Sequence, residues 1–283
     1  MLAEAVSRHL AHLSVRQEII SAQFQYINRT QVGDATIVID EVKKGRATST
    51  FHATLLQEGG KVAPKPRKCV VAYFVCAATS QRGLTLATGW ELLPAPPPVD
   101  LRRLATGTEP NWAKEASRIQ IAHLASLGFV RAVEAVFESY YPRTPGRKGL
   151  EDAWIRLSSG ERFTNATLPL VADAKPYVVE GWRPSLSEGN KDADQATRPF
   201  SRDETFWYPT LVMNLDIKKS LPPEGEEWLF LRTETRKIYQ GRLDLQVSIL
   251  DQYGDLVALA SHVNMILSSD RNTGSSRKMA EKL

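Results

Sequence analysis

The chain has little of what marks several common protein classes. It carries only 2 cysteines in 283 residues. They are Cys69 and Cys76, seven apart in one apolar run, KCVVAYFVCAA. In a strand, odd spacing sends them to opposite faces, so they cannot pair. They read as free buried thiols in a reducing compartment. Neither has a CxxC partner or a nearby histidine, which argues against a zinc or redox centre. No apolar run reaches the ~18 residues that a membrane-spanning helix needs. The opening MLAEAVSRHLAHLS lacks the apolar core of a signal peptide. Charge of one sign is not in excess. With 36 Lys and Arg against 32 Asp and Glu the net charge is +4, and no aromatic-studded basic stripe points to nucleic acid. GxGxxG, Walker A and HExxH are absent, as is the GxSxG elbow of Ser-His-Asp hydrolases. His9 and His12 lie three apart without further ligands. No metal and no cofactor are expected.

What the chain does have is a long internal repeat. Ile37 to Leu56 reads IVIDEVKKGRATSTFHATLL, and Leu229 to Leu250 reads LFLRTETRKIYQGRLDLQVSIL. In each, an alternating strand meets a Gly-Arg pair, Gly45-Arg46 or Gly241-Arg242, and a second alternating strand leaves it. A turn and a third apolar strand follow. Repetition on this scale implies a duplicated unit. Hydrophobic residues at 42% and charged residues at 24% are ordinary globular values.

Leu2, Val6, Leu10 and Leu13, with Ala3, form an apolar stripe that predicts an amphipathic helix over 2–13. Alternation predicts strands over 19–27, 35–44, 46–57 and 68–80. The run Pro94-Ala95-Pro96-Pro97-Pro98 cannot enter a sheet interior and marks a linker. Residues 111–125 read as a connector helix. Strands are expected over 129–140 and 152–157, then a helix from Asn165 to Val179, capped by Thr164 or Asn165, with Pro169 in its first turn. Further strands are expected over 206–218, 228–239, 242–251 and 255–267. The polar segment 183–205 reads as a lid or a disordered loop, and 269–283 as a disordered tail. The fold class is α+β. Each half pairs one central helix with an antiparallel sheet, and two halves side by side make an extended sheet with a cleft where they meet. The domains run 1–98, a connector 99–125, and 126–268.

Five stretches carry a family resemblance across nearly the whole chain. They are Val42-Lys43-Lys44-Gly45-Arg46, Gly89-Trp90 before the proline run, Leu168-Pro169-Leu170-Val171-Ala172-Asp173, Phe206-Trp207-Tyr208-Pro209-Thr210, and Asp251 to Asn264. With the duplicated helix-and-strands pattern, they make the chain resemble the double-hotdog acyl-CoA thioesterases, in particular their fungal thioesterase-like branch. The resemblance implies two fused hotdog units, each an antiparallel sheet wrapped around a central helix. It also implies hydrolysis of an acyl thioester carried by coenzyme A or by a carrier protein, in fungal fatty-acyl or secondary metabolism. In the related bacterial medium-chain thioesterase II proteins an Asp, a Thr and a Gln orient and deprotonate a water. Asp173 matches the Asp on the helix, and Thr210 the Thr that opens the next strand. After Gly254-Asp255-Leu256-Val257-Ala258, His262 stands where the Gln would be. The family also has a strand before the first helix, so this sequence reads as N-terminally short.

The residue chemistry is compatible with those roles. A carboxylate among Leu168, Leu170, Val171 and Ala174 is partly desolvated, which makes it a better base. A Thr hydroxyl can donate to and accept from a water, and a His can hold that water or, protonated, keep the Asp anionic. A backbone N–H near the helix start is the expected oxyanion donor. Alternation puts Asn214 and Asp216 on Thr210's face, as weaker substrate-binding candidates. Arg46 and Arg242 read mainly as strand bends, with a secondary role toward a coenzyme A phosphate. Two alternatives stand beside hydrolysis: a non-catalytic acyl-thioester-binding or scaffold protein, and a hotdog dehydratase or hydratase. The latter commonly pairs Asp with a His on one helix, and the helix around Asp173 has none. Association into a homo-oligomer is expected. So is a cytoplasmic location, with the peroxisome as alternative from the C-terminal Glu281-Lys282-Leu283.

Overall fold

The computed structural model describes residues 1–12, 17–58, 65–78, 83–114, 135–144, 146–183, 199–201 and 204–268. The expected place of Leu13 on the helix stripe, most of the 111–125 helix, the start of the 129–140 strand, most of the polar loop and the tail lie outside the described residues.

The first helix, α1 (Leu2–Ala11), follows its apolar stripe, with Leu2, Ala3, Val6 and Leu10 buried. It lies on β1 (Gln17–Tyr26), β2 (Thr36–Lys43) and β3 (Thr48–Gln57). Next come β4 (Arg67–Ala78), a short helix α2 (Leu101–Ala105), and β5 (Trp112–Lys114), β6 (Phe137–Pro142) and β7 (Leu150–Leu157). After helix α3 (Leu168–Ala172) come β8 (Phe206–Trp207), β9 (Thr210–Ile217), β10 (Leu229–Glu234), β11 (Ile238–Tyr239), β12 (Arg242–Leu250), β13 (Leu256–Met265) and β14 (Leu267–Ser268).

Among the described residues, twelve strands form one sheet in the order β2-β3-β4-β1-β9-β13-β12-β10-β7-β6-β5, with β11 on β12. The first eight positions are a palindrome. β2, β3, β4 and β1 of the front half correspond to β10, β12, β13 and β9 of the back half. The halves join where β1 pairs with β9, centred on Gln23 opposite Asn214. Two of the three irregularities in the front half recur in the back half, the exception being Val42 in β2 against β3. Ile20 is an extra residue in β1 against β4, and Leu211 is an extra residue in β9 against β13. Cys69 is extra in β4 against β3, and Val257 in β13 against β12. Bulges at matching positions on matching strands are what a copied unit retains, since a bulge is specified by the pairing and not by one residue.

The two Gly-Arg pairs mark different turns. An added Cβ on Gly45 would sit 2.4 Å from the Thr48 carbonyl oxygen, so only glycine fits that bend. Gln240 and Gly241 both have positive φ (49° and 70°) and join Tyr239 to Arg242 as a two-residue hairpin turn.

Two expected helices differ from what forms. Within 111–125, Trp112–Lys114 is an edge strand paired with β6. Trp112 is buried on the sheet's outer face with Leu104, Tyr140, Trp154, Trp228 and Phe230, and its indole N–H donates to the Pro98 carbonyl at 3.2 Å. That burial outweighs helix propensity and folds the proline linker over the back half. The helix expected over 165–179 is cut to a 3-10 turn at Asn165–Thr167, then α3, then a second 3-10 turn at Val178–Trp182. Pro169 is accommodated in the first turn of α3, whereas Pro176 removes a donor and disfavours α geometry at Lys175.

Candidate active site

Three segments converge at the back half's inner face. α3 ends at Asp173, which is its C-cap residue. The chain entering β9 is held by a buried triad. The Tyr208 hydroxyl donates to Glu180, and the Arg183 guanidinium donates to the same carboxylate. The Glu180 and Arg183 side chains are 1% and 6% exposed. Burial first, and the Glu180 charge second, hold the Tyr208 hydroxyl protonated. The triad ties the turn after Asp173 to the residues just before Thr210 and so sets the distance between them.

Thr210 Oγ1 donates to Asp173 Oδ1 at 2.8 Å. Asn264, on β13 and 0% exposed, donates from Nδ2 to Thr210 Oγ1 at 3.0 Å. His262 Nδ1 lies 3.6 Å from Asp173 Oδ1, and its side chain is 1% exposed against 32% for Asp173. Neither ring nitrogen of His262 has a hydrogen-bond partner among the described residues, nor does Asn264 Oδ1. These three atoms belong to residues that flank Asp173 and Thr210. Tyr26 ends β1, on the same face as the buried Phe24 and beside the Leu211 bulge. Burial, and then the Asp173 charge, hold its hydroxyl protonated. The front half thus contributes a neutral phenol near the back half's carboxylate.

Asp173, Thr210 and His262 are therefore together. Asn214 and Asp216 are not with them. Leu211 is the extra residue of the bulge, so Thr210 turns to the core face with Met213 and Leu215, while Asn214 and Asp216 face outward. There Asn214 donates to Ser261 Oγ at 3.4 Å and Asp216 pairs with Lys218. Arg46 and Arg242 are exposed at the two hairpin ends, and Arg242 is in register with Met265, the residue after Asn264. The backbone N–H expected as oxyanion donor lies at the start of α3. Asp173 stands at the opposite end of a five-residue helix, about 7 Å along the axis at 1.5 Å per residue.

Asn264 and Tyr26 were not singled out from the sequence. Asn264 had a signal: it follows His262 by two on an otherwise apolar face. Among the described residues, the front half has no equivalent group. The strand correspondence places Ile19 at the Thr210 position, Phe74 at His262 and Cys76 at Asn264. Burial pushes the Cys76 thiol up to about 12, which leaves it inert at neutral pH.

The arrangement suits general-base work on a water. One carboxylate oxygen is fixed by a hydroxyl, and the side chain is partly open to solvent. A cavity of about 750 Å³ lies next to this group without including it, with Val179, Phe206 and Ile266 among its walls and Arg147, Lys148 and Arg236 among its cations. Among the described residues, no three His, Cys, Asp or Glu side chains group as metal ligands, and no helix is long and apolar enough to cross a membrane.

Comparison with known proteins agrees with this organisation. Residues 1–77 match the acyl-CoA thioesterase N-terminal domain and residues 98–266 the acyl-CoA thioesterase C-terminal domain. The thioesterase-like protein TwmA of Talaromyces wortmannii is 36% identical over 301 residues, covering 97% of this chain and 83% of that one. Among solved structures, a conserved protein of unknown function with a hot dog fold from Alicyclobacillus acidocaldarius matches 94% of this chain and 85% of its own, at 14% identity and a TM-score of 0.65. The acyl-CoA thioesterase II TesB2 from Mycobacterium marinum matches 94% and 87%, at 13% identity and a TM-score of 0.56. By its family match and its fungal relative, the chain belongs to the acyl-CoA thioesterase family, with a hotdog-type antiparallel sheet.

Proposed function

We propose that the chain hydrolyses an acyl thioester, with Asp173 as the base. Asp173 takes a proton from a water, and the hydroxide adds to the thioester carbonyl carbon. The tetrahedral intermediate then expels the thiolate as the C–S bond breaks. The proton held by Asp173 passes to the thiolate, leaving a carboxylic acid and a free thiol. Thr210 fixes one Asp173 oxygen, and His262 positions the water. The observation that carries the reading is the convergence of Thr210 and His262 on Asp173 Oδ1, at 2.8 and 3.6 Å. The product thiol is coenzyme A or a carrier-bound arm.

The fold behind this reading is two fused hotdog units, 1–98 and 126–268, with the connector 99–125 between them. The palindromic strand order and the duplicated bulges support it. The back unit holds the chemistry, and the front unit supplies the wall that carries Tyr26.

The test is purified protein against acyl-CoAs from acetyl to palmitoyl, with free thiol followed over time. Release is expected from at least one of them, and it should be lost in Asp173→Ala and Asp173→Asn. Binding without release in a folded sample would instead make this an acyl-thioester-binding protein.

A further inference from the structure

Asn264 is costly where it stands. It is 0% exposed on the core face of β13, and its Oδ1 has no hydrogen-bond partner among the described residues. A buried acceptor left unmade works against folding. Nothing in the fold requires an amide there, because the matching front-half position holds Cys76 on equivalent backbone, also 0% exposed.

Its side-chain bond to Thr210 explains what it does. A Thr hydroxyl has a single proton. With Asn264 Nδ2 donating to Thr210 Oγ1 at 3.0 Å, that oxygen serves as acceptor toward β13. The lone Thr210 proton is then committed to Asp173 Oδ1 at 2.8 Å. The amide assignment is fixed by the same count. If Oδ1 faced Thr210 instead, it would compete for the only proton and the carboxylate would lose its donor. All donors therefore run one way, Asn264 to Thr210 to Asp173, and each bond polarises the next. The Asp173 carboxylate is oriented with Oδ1 occupied and Oδ2 left for the reacting water.

We infer that Asn264 is a positioning residue for the hydrolysis, acting through Thr210 by fixing the direction of its hydroxyl proton. The inference rests on the thioester-hydrolase reading above. It places the amide that orients the site two residues beyond His262, on the next core-facing position of β13.

The test is a double-mutant cycle on the full chain, using the acyl-CoA that the wild type hydrolyses fastest. Asn264→Cys borrows the residue that the front half already accommodates, so it should fold, and its thermal melt checks that. We expect kcat to fall about tenfold, the worth of one hydrogen bond to a hydroxyl, with KM within twofold of wild type. In the Thr210→Ala background, adding Asn264→Cys should cost nothing more, because a residue acting through Thr210 has nothing left to act on. Asn264→Asp, of the same shape but unable to donate when ionised, should fall at least as far as Asn264→Cys. Multiplying losses in the double variant would overturn the inference, as would an unchanged kcat in Asn264→Cys. Either result leaves the hydrolase reading standing if Asp173→Asn remains inactive. Absence of thiol release by the wild type would instead overturn the hydrolase reading, and this inference with it.

Discussion

Asp152 on β7 and Arg232 on β10 face each other directly in register. Nε donates to Oδ1 at 2.7 Å and Nη2 to Oδ2 at 2.8 Å. Both residues are buried, at 5% and 3% exposure, and Arg232 Nη1 has no partner among the described residues. In Asp152→Ala the guanidinium stays charged, since arginine does not deprotonate in proteins, and it stays buried because β10 is covered on both faces. At an effective dielectric near 20, two charges about 4 Å apart attract by about 4 kcal/mol. Breaking a buried pair from one side costs about 3–5 kcal/mol. For a chain of this size that corresponds to a drop in Tm of roughly 6–20 °C. Removing both charges should behave differently. Asp152→Leu with Arg232→Met replaces the pair by apolar volume and should recover most of the loss. The assay is urea unfolding followed by tryptophan fluorescence, with thermal melts alongside. The pair lies away from Asp173, so kcat at 15 °C should be unchanged in every variant that remains folded. A loss below about 1 kcal/mol in Asp152→Ala, or a double variant no better than the single, would refute the reasoning.

Two further outcomes follow from other groups. Asp244 Oδ1 accepts from the Lys237 N–H at 2.9 Å, and from the Arg236 N–H and the Thr235 hydroxyl at 3.0 Å each. Burial works against its charge, but these bonds outweigh it and hold the carboxyl below its usual value. A carboxyl lowered in the folded state adds stability above its unfolded value, about 3.9, and loses it as pH falls through the lower folded value. Asp244→Asn should therefore destabilise the protein at pH 7 and do so less at pH 3, as read from urea midpoints; an equal loss at both would contradict the sign. Cys69 and Cys76 are both 0% exposed, and burial raises the Cys76 thiol to about 12. Ellman's reagent at pH 8 should find neither thiol in the native protein and both in denaturant. Rapid native labelling would show β4 opening.

The sequence by itself determined most of the strands and α1, because each rests on a local period of apolar residues. Leu2, Val6 and Leu10 mark a helix face wherever they occur, and the Gly45 and Gly241 pairs stand at turns that need them. The resemblance to the thioesterases named three of the residues that meet, Asp173, Thr210 and His262, through the motif that each terminates or follows. The length of the second helix was less legible, since Pro176 ends α geometry but an apolar run on either side of it still looks helical. The strand at Trp112 was hidden for a different reason. Its burial under the proline linker depends on partners more than 25 residues away, such as Tyr140 and Phe230. The tertiary structure alone decided which way Thr210 points. Simple alternation puts it with Asn214 and Asp216, on the outer face. The extra residue Leu211 is visible only once β9 is laid against β13, because a bulge is a mismatch of count between two strands and neither strand carries it alone. That single residue turns Thr210 inward to Asn264 and Asp173. Its counterpart Ile20 turns Ile19 inward in the front half, where no polar group awaits it. One backbone device, copied twice, thus makes a candidate active site in one half and plain core in the other.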